Sequence, residues 1–408
     1  MNQILRRIVL VFCAAALVVF GQKPDAKEIA SILAEISEIT GIPVKRQVPF
    51  DTMTRDQWKG YIEEQIKERV KPEEIRAEEL VLKKFGLVPQ DYDLKASTVE
   101  LLTEQAAAFY DHRKKKMVLL EGNTSPALLN SMVLTHELAH ALADQYVDLR
   151  KFIEKADVSD EGTIARLAVA EGQAMWIMLE TPMRKMGGSL LQNPAALEMM
   201  KPMSSQMASG MFPVFEKAPL YIRESLMFPY AHGLMFQHAV LEKMGKKGFL
   251  EVLRNPPVTT QQVIHPELYL DKLTPLNPAL PPLERASDYK LLTEGTLGEF
   301  DFSVLLRQYV KTDSAAKEAE NWRGGRYELH EHKKDGYTVL RWSAEWKTAE
   351  SARQILGHVR EIIAGKSKDF RITEEGVNLL AGRTSEGEFR IQVDGSRVQA
   401  QEGLPVRR

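Results

Sequence analysis

Thr135-His136-Glu137-Leu138-Ala139-His140-Ala141-Leu142-Ala143-Asp144-Gln145 is the stretch on which the reading of this chain turns. It contains His-Glu-x-x-His. Residues four apart on an α-helix share a face, so His136 and His140 aim their imidazoles at one point, with Glu137 rotated one position to the side. Composition alone produces this pattern in roughly one unrelated chain in a hundred of this length, so the surroundings must carry the argument. From Gly122 to Ala143 the only acid is Glu137, in an otherwise apolar helical run. A buried glutamate without a task is costly or must stay protonated. Two imidazoles and a carboxylate in a core helix need a shared partner, and a divalent cation supplies one. The plainer reading is a hydrogen-bonded pair of core histidines.

A third ligand is expected downstream on another apolar helix, and Glu171 fits. It is the only acid between Gly162 and Leu179. Its helical neighbours Leu167, Ala168, Ala174 and Met175 are apolar or small, and the other face carries Ala165, Val169, Gly172 and Trp176. The small Gly172 and Ala174 would let two helices approach closely. Pairing of Glu171 with Arg166 is the alternative, but five residues apart is poor geometry on a helix. Glu161 and Glu180, at the helix ends, are expected to be solvated. Zinc accepts two imidazoles, one carboxylate and an open fourth position.

Around this centre the chain divides into three parts. Arg6 and Arg7 precede the apolar run Ile8–Phe20, too short to span a bilayer comfortably and suited to a signal peptide over 1–22. The alternative is a retained N-terminal membrane anchor. The only cysteine, Cys13, lies in that run, so the mature chain has no disulfides and any metal site must use His and carboxylate ligands. Residues 23–316 form the metal-bearing domain. Helices are expected over Lys27–Ile39, Arg55–Val70, Ala127 to about Leu149 and Gly162–Leu179, with Ser125 as N-cap and Pro126 at the first position of the third. Ala106–Tyr110 and Met117–Leu120 read as a strand pair. Residues 182–219 hold seven of the 16 methionines and read as loose helix and loop over the core. Prolines 275, 278, 281 and 282 mark an extended segment, with a helical stretch near Phe302–Val310 beyond it. Residues 317–408 read as a small α+β domain: strands Tyr327–His330, Tyr337–Trp346, Phe370–Ile372, Val377–Ala381 and Phe389–Val393 around one helix, Ser351–Ile363. The expected class is therefore α+β. A net charge of −2 gives no field that favours nucleic acid or an anionic membrane.

His136–Asp144 resembles the active-site helix of the thermolysin-like zinc peptidases, the gluzincins, including the aspartate four residues after the second histidine. Ala170-Glu171-Gly172 resembles their glutamate helix, and His-Glu-Leu-x-His-Ala-Leu-x-Asp-Gln is similar to a set of uncharacterised exported bacterial proteins. Two departures stand out. His140 and Glu171 are 31 residues apart, longer than in thermolysin, and Met175 stands where thermolysin-like enzymes carry an aspartate. The partners that hold the ligands must therefore differ, with Asp144 either supporting His140 or capping the helix end.

The resemblance implies a zinc peptidase acting on a peptide or protein substrate, with Glu137 as general base passing the proton to the leaving amine. It also implies that Ala106–Tyr110 or its partner strand pairs with extended substrate. An oxyanion donor is needed, and Tyr230 and His265 are the candidates, each beside turn residues in an apolar region. His238, His330, His332 and His358 are expected to serve structure. Two rival functions remain: a zinc amidase on a non-protein amide, and a binding or scaffold module without turnover.

Overall fold

The computed structural model describes residues 15–16, 24–121, 127–154, 159–193, 195, 197, 212–312 and 314–406. The expected helix cap at Ser125 and Pro126, most of the apolar N-terminal run and much of the methionine-rich stretch lie outside the described residues. The fold is α+β.

The first half is mostly helical. Helix α1 (Ala26–Thr40) is capped by Asp25, whose side chain accepts from Glu28 N–H at 2.7 Å, and it ends on Gly41 at φ +72°. It buries Ile29, Ile32, Leu33, Ile36 and Ile39 against α5 (Ala127–Asp144). Strands β3 (Ala106–Asp111) and β4 (Lys116–Leu120) form an antiparallel hairpin, and β2 (Phe50–Met53) joins β4 in parallel. A two-residue strand, β1 (Ala15–Ala16), pairs antiparallel with the other edge of β3. This small sheet, in the order β1-β3-β4-β2, lies against α5.

Helix α5 ends at Asp144, short of the expected Leu149; the Asp144 side chain accepts from Leu149 N–H at 2.9 Å, and Asp148, accepting from Lys151 N–H, caps the short helix α6 (Leu149–Ile153). Helix α7 (Asp160–Lys185) is longer than expected, starting from the Ser159 cap. Beside it runs α8 (Leu220–Met244), which corrects the sequence reading. Pro229 and Gly233 mark no turn; both sit inside this 25-residue helix. Their low helix propensity is overridden by burial against α7. A Cβ on Gly172 would stand 2.1 Å from Gly233 C, and one on Gly233 would stand 2.2 Å from Ala168 O, so the two backbones meet there. One turn on, Trp176 Nε1 donates to His238 Nδ1 at 3.3 Å, which shows that the helices run parallel.

The C-terminal part is a seven-stranded antiparallel sheet in the order β5-β6-β7-β11-β10-β9-β8. Its strands are β5 (Tyr289–Gly295), β6 (Trp322–His332), β7 (Thr338–Trp346), β8 (Arg371–Gly376), β9 (Leu379–Thr384), β10 (Gly387–Asp394) and β11 (Arg397–Leu404). Sequence reading missed β5 and β11. The first is half-exposed and lacks alternation, and the second buries mainly Val398 and Ala400 among glutamines. The sheet thus draws on residues well before 317. One face packs on α9 (Ala349–Lys366), which buries Ile355, Leu356, Val359, Ile362 and Ile363. Across the other face lies the proline segment 275–282. Arg341 donates to Pro281 O, Gln399 to Ala279 O and Gln401 to Pro282 O, while Leu276 N–H donates to Arg323 O. A single buried apolar cluster runs from Trp58 and Phe109 through Ala168 and Phe236 to Trp322 and Trp346, joining both halves.

Candidate metal centre

Helix α5 presents His136 and His140 one turn apart, and α7 presents Glu171 across from them. All three are at most 2% exposed. His136 Nε2 lies 3.1 Å from His140 Nε2 and 3.2 Å from Glu171 Oε2, and His140 Nε2 lies 3.6 Å from that oxygen. Ligands held about 2.0–2.1 Å from a tetrahedral zinc are separated by about 3.3 Å, so these spacings bracket what such an ion requires. A proton between two of the atoms would bond one pair; a cation bonds all three. Among the described residues this is the one group of three such side chains whose ligand atoms gather within 4.8 Å. Glu171 Oε1 is buried without a hydrogen-bond partner. The set fits a metal ion and can hold one.

Burial pushes the His136 imidazole below its ordinary value, outweighing the pull of Glu171, and so favours the neutral ligand form. Burial opposes charge on Glu171 too, but His140 and the hydrogen bonds from both imidazoles hold its carboxyl well below the ordinary range. Arg166 does not compete for Glu171; its guanidinium donates to Phe152 O at 2.7 Å.

Glu137 is fully buried, and its Oε2 accepts from the Tyr110 N–H of β3 at 2.7 Å. The Tyr110 hydroxyl donates to Asp144 Oδ2 at 2.8 Å, and Lys115 Nζ donates to Asp144 Oδ1 at 2.7 Å. Tyr110 therefore staples β3 to α5 at two points, two helical turns apart. Sequence reading missed this residue: the strand before the motif was visible, but its register against the helix was not. Asp144 serves the helix end and the hairpin, and the contacts of its oxygens go to Tyr110, Lys115, Leu149 and Arg46.

Of the two oxyanion candidates, Tyr230 neighbours the centre. Its ring stacks on that of His136, with centroids 6.3 Å apart and planes 24° apart. His265 sits between two short helices, Thr260–Ile264 and Pro266–Leu270, and its Nε2 pairs with Glu299 Oε1 at 2.8 Å. That segment docks at Glu161, ten residues from Glu171 and so about 15 Å along α7. The expectation that Glu161 and Glu180 are solvated is overturned: both are fully buried. Glu180 accepts from Arg184, Ser189 and Leu190 N–H. His238 bonds Trp176, while His330, His332 and His358 contact Glu328, Asp335 and Glu318 in the C-terminal part.

A family model described as a domain of unknown function (DUF8575) matches residues 289–407. That span begins with β5 and takes in the whole seven-stranded sheet; the metal centre lies outside it. No curated protein and no solved structure matches the chain.

Proposed function

We propose that this chain is an exported zinc-dependent hydrolase of peptide bonds. One observation carries the reading: two imidazole nitrogens and a carboxylate oxygen from two helices stand at tetrahedral-edge spacing, with a second glutamate beside them on the same helix. His136, His140 and Glu171 hold the ion. Zinc, when bound there, acidifies water to a pKa of about 7 and polarises a carbonyl. Glu137 takes the proton from the attacking water and gives it to the leaving amine. Tyr110 N–H fixes the orientation of that carboxylate. Tyr230, stacked on His136, is the donor for the oxyanion.

An extended peptide suits the setting, because β3 lies beside Glu137 and its edge accepts an antiparallel strand from Ala15–Ala16. Export rests on the Arg6-Arg7 pair and the Ile8–Phe20 run. Among the described residues no helix is long and apolar enough to cross a membrane.

The test is metal content together with turnover. The purified chain is expected to carry one zinc, Glu171→Ala much less, and Glu137→Gln the full amount while losing hydrolysis of an unfolded protein substrate. A metal-free parent chain sinks the reading, as does a Glu137→Gln variant with undiminished activity. Loss of metal with Glu171→Ala but no turnover in the parent points to a binding module.

A further inference from the structure

Away from the metal triad, the start of α7 is sunk into the beginning of the C-terminal region. Glu161 Oε2 accepts from Thr260 N–H at 2.8 Å and from the Thr260 hydroxyl at 2.7 Å, while Oε1 has no hydrogen-bond partner. Gly298 lies against this carboxyl: a Cβ there would stand 2.1 Å from Glu161 Cδ. Asp301, fully buried, accepts from the Tyr221 hydroxyl and from Gly298 N–H, each at 2.9 Å. Glu299 has one oxygen on His265 and the other buried without a partner. Asp160 sits under Gly295, where a Cβ would stand 2.2 Å from its Oδ2 and 2.6 Å from the Tyr327 hydroxyl. Glu267 and Glu320 add negative charge near His265. Four carboxyls and one imidazole therefore share the seam between the helix that bears Glu171 and the region matched by the family model.

A metal ion does not explain the seam. Among the described residues, ligand atoms of three such groups converge only at His136, His140 and Glu171. The N-termini of α7 and of the helix Glu299–Tyr309 favour negative charge nearby, but such dipole effects are small beside the cost of burying two adjacent carboxylates. A proton meets the need with no rearrangement. Oε2 already receives both Thr260 bonds, so the proton belongs on the unpartnered Oε1.

We infer that this seam is a proton-dependent latch, in which Glu161 as a neutral acid holds α7 to the C-terminal region and weakens that hold when its proton leaves to solvent. Burial first, and then the charge of Asp301, push Glu161 up from 4.5 to about 7. The folded chain thus keeps a proton that the unfolded chain releases. Stability is expected to fall as pH climbs from 4.5 through about 7, with the loss complete above. His265 runs the same way: its hydrogen bond to Glu299 raises it, so that pairing is lost as pH rises through its folded value. The inference does not depend on the hydrolase reading.

The test compares the full-length parent, Glu161→Gln and His265→Gln by thermal unfolding between pH 5 and 9. The parent's Tm is expected to drop by several degrees; Glu161→Gln should have a shallower slope and a higher Tm than the parent at pH 9. His265→Gln should keep the part of the slope due to Glu161. Parallel slopes in the parent and Glu161→Gln overturn the latch. Should Glu161→Gln fail to fold, hydrogen exchange in the parent decides. Corrected for the intrinsic rate, protection at the Thr260 and Gly298 amides should fall about tenfold or more from pH 6 to 9, while Ile391 in β10 holds. Equal protection at both pH values refutes it.

Discussion

His136 turns Nε2 towards His140 and Glu171, and its Nδ1 is buried with no acceptor. A ligating imidazole ordinarily gives its second N–H to a carboxylate or carbonyl, and loss of that partner weakens metal affinity by about 10–100-fold. Met175, one turn beyond Glu171 on the same face of α7, stands where the resemblance to thermolysin-like enzymes would put an aspartate. Met175→Asp is therefore expected to tighten zinc binding by about tenfold or more, read by competition with a chromophoric chelator. An unchanged or weaker affinity refutes the assignment of that gap. At this scale the convergence of His136, His140 and Glu171 was legible, because lone polar groups in apolar helices advertise themselves. Tyr110 was not, because its contribution to Glu137 is a backbone N–H, which every residue but proline carries.

Helices α7 and α8 touch backbone to backbone at Gly172 and Gly233, and this contact brings Tyr230, one turn away, alongside His136. A methyl group at Gly233 would meet the Ala168 carbonyl, which cannot withdraw without disturbing the helix that carries Glu171. Gly233→Ala is expected to cost at least about 2 kcal/mol of stability, measured by chemical unfolding of the metal-loaded chain. It should also weaken zinc binding, whereas Gly60→Ala, at a helix position where a Cβ meets nothing within 4 Å, should do neither. The sequence announced a small-residue approach at Gly172 but hid its partner. Pro229 and Gly233 read locally as breakers, and only burial against α7 keeps them helical. The same limit applies to β5 and β11: an edge strand and a glutamine-rich strand carry little periodic apolar signal.

At the scale of the molecule, the apolar cluster is continuous from Trp58 to Trp346, so the two halves do not separate cleanly. Tyr309 and Gln308 donate to Gly86 O and Lys366 donates to Lys84 O, which ties the C-terminal part to the end of the helix Pro72–Phe85. A chain ended at residue 317 would keep β5 and the helix Glu299–Tyr309 but lose every strand that pairs or covers them. A chain ended at 288 loses all of that unit together. The shorter chain is expected to give the higher soluble yield and the smaller aggregate fraction on size exclusion; the reverse order would refute this division. The α+β class was legible from the change in pattern after residue 320. The starting point of the second part was not, because its first strand precedes that change.

The proline segment crossing the sheet is gripped in an unusual way for so long a connection. The side chains of Arg341, Gln399 and Gln401 hold it only by peptide oxygens, and Pro278 and Pro281 are the two prolines of this run that are buried. A three-residue spacing returns to the same side of a polyproline helix, so these rings form one shoe pressed on the sheet. A clasp that reads carbonyls is blind to the letters between. Drift at Leu276, Asn277 and Ala279 should pass almost unnoticed, while the loss of a single residue between 278 and 281 would rotate one ring off the sheet and slip the whole tether out of phase.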